Sequence, residues 1–237
     1  MRDRNKRSAC LVLTIGVAVI GLLACGIVAA RILGWRFDFF RSRQPIQTTP
    51  YSETFDTVDA WMAGEGANAM GDISGGLYEM TLGADTFDDR FWAAGGRNFA
   101  DAIFEVEATP LDGTEDNGYG MLFRVDTDQD SFYVFKVSSD GYVFIALCTA
   151  GCAEQQVLVD RDWFESQAIN RGFNTTNTLQ VVATGPEMSF FVNDTEVGQA
   201  TDDTLKNGDI GLFGETFAPG GLRVAFDNFH VSPILEE

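Results

Sequence analysis

The sequence holds one histidine, His230, and four cysteines. Beyond residue 25 the cysteines are Cys148 and Cys152 alone, so a His/Cys zinc centre lacks ligands. His230 sits in a late strand-like segment and reads as a packed edge position rather than a triad base. No glycine-rich phosphate loop and no G-x-S-x-G elbow occurs. Past residue 44 there is no helical periodicity longer than a turn or two, and no internal repeat. Asp162–Ala168 is the one short stretch predicted to form a helical turn. Bases are also scarce there. Residues 1–43 carry eight Lys/Arg and two acids, a net of +6, whereas the other 194 residues carry eight Lys/Arg and 33 acids, a net of −25. Phosphate would be repelled by that body, which argues against nucleic acid as a partner.

What is present is an apolar rhythm of period two. In Gly118–Val137, GYGMLFRVDTDQDSFYVFKV, Met121, Phe123 and Val125 alternate with Leu122 and Arg124. Tyr133, Phe135 and Val137 alternate with Phe132, Val134 and Lys136. Such alternation marks strands buried on one side, and Asp126–Asp130 is a turn between them. A symmetric fold-back puts Arg124 and Lys136 together on the solvent face. Asp126, Asp128 and Asp130 imitate an EF-hand start, yet Ser131 and Val137 stand where its Gly and Glu belong, so a solvated turn is expected. Eight further segments, from Gly76–Leu82 to Arg223–Val231, carry strand character between turn signals such as Asp140-Gly141 and Asn207-Gly208. With 45% hydrophobic and 12% aromatic residues the chain has ample material for a core. The expected class is all-β, a two-sheet antiparallel sandwich over residues 52–233, with a tail at 234–237.

Ala9–Ala30 is uncharged for 22 residues, about 33 Å as a helix, enough for a bilayer core. Three readings fit. The length favours an uncleaved transmembrane signal anchor over 9–34, after a basic flank at 1–8. A cleaved signal peptide with Val28-Ala29-Ala30 as its site and a lipoprotein at Leu22-Leu23-Ala24-Cys25 are the others. Residues 35–51 form a juxtamembrane linker, aromatic and basic at first and then QPIQTTPY. The flanking bases nearly balance across the span, so orientation rests on cysteine chemistry. In CTAGC a tight loop with Gly151 in the left-handed region brings Cys148 and Cys152 within disulfide reach; a metal pair is the alternative. A disulfide persists outside the cytosol, so the body is expected to be extracytoplasmic.

FDTVDAW, GLYEMTL, DAIFEVEAT, NGYGMLFRVD, DSFYVFKVSSDGYV, NTLQVVATGPEMSFFVNDTEV, GDIGLFG and VAFDNFHV follow in order across residues 52–232. In that order they resemble the concanavalin A-like jelly roll, in its laminin-G or sugar-hydrolase-related branch. The resemblance implies two curved sheets, with ligands met on one sheet face or its edge loops. It also implies a structural calcium held by an acid of the last strand, here Asp227, with Glu53 or Asp56 nearby and backbone carbonyls of the first strand. The residues themselves offer another account. Phe226 and Phe229 both need the core, so a bulge at Asp227-Asn228 is expected, and Asp227 would accept backbone hydrogen bonds there.

Glycosidases of this fold pair carboxylates along a strand, and no E-x-D-x-E run is present. Glu105 and Glu107 have the spacing, but ordinary solvent-facing alternation explains them. The expectation is therefore a membrane-tethered binding module for carbohydrate or a surface glycan, without catalysis. Arg124 and Lys136 would donate hydrogen bonds, and Trp92, Tyr119 and Trp163 would be stacking platforms. The alternatives are a hydrolase of a modified disaccharide using Glu105 or Glu107, and a structural subunit docked on a membrane complex. The sequence names no protein partner.

Overall fold

A computed structural model describes residues 44–57, 61, 68–83, 90–159, 161–217 and 219–235. The expected flank, anchor and first part of the linker lie outside the described residues. Among the described residues there are fifteen strands: β1 (Tyr51–Glu53), β2 (Ala69–Ser74), β3 (Leu77–Leu82), β4 (Arg90–Ala94), β5 (Ala102–Gly113), β6 (Gly118–Asp126), β7 (Ser131–Ser138), β8 (Tyr142–Thr149), β9 (Glu154–Val157), β10 (Phe164–Glu165), β11 (Asn177–Thr184), β12 (Glu187–Val192), β13 (Thr195–Thr201), β14 (Asp209–Glu215) and β15 (Leu222–Pro233). All paired neighbours are antiparallel. The first sheet runs β13-β12-β11-β5-β15-β3-β2, with β1 also on β15; the second runs β10-β8-β7-β6-β14-β4, with β9 also on β8. The predicted helical turn at Asp162–Ala168 is instead the two-residue β10, paired with Tyr142 and Val143 of β8.

Alternation explains the first sheet directly. In β5, Ala102, Phe104, Val106 and Ala108 are buried while Ile103, Glu105 and Glu107 are half-buried, and β11 repeats the pattern. The inward residues of both sheets make one core that includes Phe104, Phe123, Tyr133, Phe135, Phe190 and Phe226. Phe226 and Phe229 both reach it because β15 carries the expected bulge between Asp227 and His230, with Asn228 at φ 50°. Removing either ring would cost about 3–5 kcal/mol.

The central strands of the second sheet depart from the one-sided expectation. Every residue of β7 is buried. Leu122, Phe132, Val134, Phe144 and Phe213 form a second cluster on the face turned away from the core, under half-buried Trp92 and Trp163. The linker's end is also tied down: Gln47 N–H donates to Asn98 O at 2.8 Å, and β1 pairs with β15. His230 is not at an edge as expected: it lies between Glu105 of β5 and Ser52 of β1, with Nδ1 2.8 Å from the Ser52 hydroxyl.

Burial holds the phenols of Tyr78, Tyr119 and Tyr133 above the ordinary tyrosine value of 10, Tyr119 at about 12. Groups raised in this way contribute stability that is complete below pH 10 and is lost as pH rises through their folded values, about 3 kcal/mol from Tyr119 alone. Alkaline titration should therefore show phenolate absorbance from these tyrosines rising together with loss of sheet circular dichroism, above pH 10. Full phenolate absorbance with the sheet signal intact would contradict this.

Candidate functional site

The outward face of the second sheet is built around a lysine. Lys136 on β7 lies opposite Gly120 of β6 and Phe144 of β8. Its ammonium pairs with the Glu215 carboxylate of β14, and the two side chains are each 1% exposed. Arg90 of β4 donates to the other Glu215 oxygen at 2.5 Å. Four rings enclose the ammonium: Phe144 at 4.3 Å, Trp163 at 5.1 Å, Phe213 at 5.3 Å and Phe217 at 5.7 Å. Burial pulls Lys136 below the ordinary lysine range, and Glu215 opposes that pull. The Glu215 carboxylate and a ring of negative quadrupole faces are what make a desolvated ammonium tolerable.

The same lysine carries the platform above it. A Cβ on Gly118 would lie 3.2 Å from both the Lys136 stem and the Trp163 ring, so a larger residue there would push one of them aside by a few tenths of an ångström. Trp163 meets Phe144 at 5.2 Å and Phe217 edge-on at 5.7 Å. Asn117, fully buried, accepts the Phe217 N–H at 3.0 Å and donates to Gly221 O, which fixes that loop. A pocket of about 390 Å³ opens beside these rings, lined by Asp116, Ser138, Asp140, Tyr142, Trp163 and Phe217. Tyr142 is exposed. The Ser138 hydroxyl donates to the Asp140 carboxylate and accepts the Tyr142 N–H at 3.1 Å.

Of the residues singled out in the sequence, Trp163 lines this pocket and Lys136 lies beneath it. Arg124 is elsewhere. The expected symmetric hairpin is broken by a bulge between Phe123 and Asp126, with Arg124 at φ 50°. The bulge is held by close approach of Gly208, where a Cβ would meet the Arg124 carbonyl carbon at 2.4 Å. Arg124 therefore parts from Lys136. Its guanidinium reaches Asp101 at 3.0 Å, Gly185 O at 2.9 Å and Leu205 O at 3.2 Å, and the side chain is 1% exposed. It ties the second sheet to loops of the first.

Tyr119 faces the inner core, fully buried, with its hydroxyl near Ser139 and Asn177 but outside hydrogen-bond geometry. Trp92 covers Phe132 at 5.8 Å on the outward face, near the turn at Gly151. That turn holds a disulfide between Cys148 and Cys152, with Gly151 at φ 65° as the spacing implied. Cys152 lies in the turn and not opposite Cys148, whose partner across the strands is Gln155.

Glu105 and Glu107 stand on the outward face of the other sheet. Glu105 accepts from Gln180 at 2.7 Å and Glu107 from Asn228 at 3.0 Å. Asp227 accepts the Asn228 N–H at 2.7 Å, and partial burial raises its carboxyl, with Glu107 and Asp56 adding to the rise. Among the described residues no three His, Cys, Asp or Glu side chains are grouped to hold a metal ion. A calcium at Asp227 would therefore depend mainly on backbone oxygens and water.

No protein-family model matches this chain, and no curated protein does. Solved structures do. A carbohydrate-binding module, CBM66, from Bacillus subtilis superposes with a TM-score of 0.55 at 19% identity, over 72% of this chain and 93% of that one. A beta-glucanase from Bacillus licheniformis gives 0.56 at 12%, over 79% and 100%. A Bacillus subtilis protein of unknown function with a galectin-like fold gives 0.57 at 12%, over 76% and 94%. The domain has the concanavalin A-like jelly-roll fold. At these identities the likeness establishes the fold alone.

Breaking the buried pair from one side should be costly. Lys136→Met leaves the Glu215 carboxylate desolvated with Arg90 as its remaining ionic neighbour, for a loss of about 3–5 kcal/mol in urea denaturation. The double substitution Lys136→Met with Glu215→Leu should recover most of that loss. A single variant as stable as the parent would contradict the account of the cluster.

Proposed function

We propose that the jelly roll is a carbohydrate-binding module whose site is the pocket beside Trp163. The observation that carries this is one open depression in which three aromatic side chains, Tyr142, Trp163 and Phe217, meet the polar edges of Ser138, Asp116 and Asp140. Sugars present apolar ring faces and hydroxyl edges, and such a mixed surface suits both. The fold's occurrence in a carbohydrate-binding module and a beta-glucanase supports the choice of ligand class. Arg124 and Lys136 then act from below and behind, as scaffold, because neither reaches the surface.

Catalysis is not part of the reading. Glu105 and Glu107 lie on the other sheet's face, each engaged by a neutral amide. Glu215 is 1% exposed and committed to Lys136 and Arg90. The apolar run at 9–30 would hold the module at a membrane as a signal anchor, with the jelly roll on the extracytoplasmic side, where the Cys148–Cys152 disulfide persists.

A glycan array followed by calorimetry tests the site. Tyr142→Ala and Trp163→Ala should each weaken binding roughly tenfold, about 1.4 kcal/mol, while Glu105→Gln and Glu107→Gln leave it unchanged. Binding that survives both aromatic substitutions would move the site elsewhere. A structural calcium at Asp227 is proposed alongside: Ca²⁺ should raise the melting temperature of the parent and not of Asp227→Ala. No shift in either would remove the ion.

A further inference from the structure

We propose that the pocket beside Trp163 selects a saccharide bearing a free amine, an ammonium-carrying amino sugar, over neutral and acidic sugars. This deepens the carbohydrate reading of the same pocket and rests on it. Of the pocket's polar groups, Asp116 and Asp140 bring carboxylates, Ser138 brings a hydroxyl already committed to Asp140, and Tyr142 and Trp163 carry a phenol O–H and an indole N–H. The formal charges among the lining side chains are both negative, and they stand beside three ring faces or edges.

Neighbouring cations do not cancel that charge. The Lys136 ammonium is held under the Trp163 and Phe217 rings by Glu215, which it shares with Arg90, so that cluster contributes one net positive charge against the carboxylates of Asp116, Asp140 and Asp162. Arg171 runs along the rim at Gly141 and feels Asp140, but its guanidinium is bound to Glu165 at 2.5 Å. Asp162, next to Trp163, adds another carboxylate close enough to act on Lys136. The residues from 44 onward carry a net −25, so the far field has the same sign.

A sugar ammonium entering here gains a carboxylate partner and an aromatic face at once. A hydroxyl sugar gains the stacking and ordinary hydrogen bonds. A uronic acid meets repulsion from Asp116 and Asp140. The order of preference is set by charge, and the ring platform is common to all three.

The experiment uses the full-length chain in a sugar-free detergent, titrated with matched oligosaccharides of glucosamine, N-acetylglucosamine and galacturonic acid, and with tetramethylammonium. At low ionic strength the glucosamine oligosaccharide should bind about tenfold tighter than the N-acetyl one, the combined scale of one ion pair and one cation–π contact. The advantage should shrink as salt rises and be largely lost in Asp116→Asn. Equal binding of the N-acetyl or galacturonate oligosaccharide overturns the amine preference and leaves the carbohydrate reading standing. Tetramethylammonium binding as tightly as the amino sugar overturns it as well, by showing that the sugar is dispensable. No binding by any saccharide removes both.

Discussion

The buried ion pair between Lys136 and Glu215 is the constraint from which the outward face of the second sheet follows. A charge on the middle of β7 has to be neutralised where water is absent, and Glu215 on β14 does this across β6, with Arg90 joining from β4. Three strands, β7, β14 and β4, are thereby linked by charge across β6 as well as by their ladders. The remaining faces of the ammonium are covered by rings, and two of those rings, Trp163 and Phe217, continue outward to become pocket wall. Replacing such a pair by apolar side chains is often neutral for stability, so its value here is positional: it fixes where the rings stand.

The two cationic residues of the central hairpin divide the structural work. Lys136 organises the outward face. Arg124, turned by the bulge, caps carbonyls of the turns at Gly185 and Leu205 and pairs with Asp101, so it joins the sheets at one end of the sandwich. Tyr133 works beside it, donating to Asp202 at 2.6 Å and accepting Leu205 N–H at 3.1 Å. Both side chains satisfy polar backbone that the loops would otherwise bury unpaired.

Much of the fold is legible in the sequence because alternation carries it. The last strand's bulge follows from two rings, Phe226 and Phe229, that both need the core. The inward place of Tyr119 was also within reach, since period two from Met121 and Phe123 puts it on their face. The edge strands were not legible. In β2, AMGDIS has small residues where a core strand has large ones, because Gly71 leaves room for the Tyr78 ring: a Cβ there would fall 1.9 Å from its hydroxyl. The Arg124 bulge depends on Gly208, far along the chain. The pocket draws on four separate segments, around 116, 138–142, 163 and 217, so no local pattern announces it. Trp163 alone among the pocket rings carried a signal, as a large aromatic beside a turn.

Recognition is proposed for the outward face of the second sheet, above Lys136, and not for the face that carries Glu105 and Glu107. The chain has four tryptophans, and each indole N–H gives its own resonance in a spectrum of the labelled protein. On titration with the best-binding oligosaccharide, the Trp163 signal should move with saturation while those of Trp61, in the core, and Trp92, over the disulfide turn, stay in place. Saturable binding that leaves Trp163 unmoved would contradict the account.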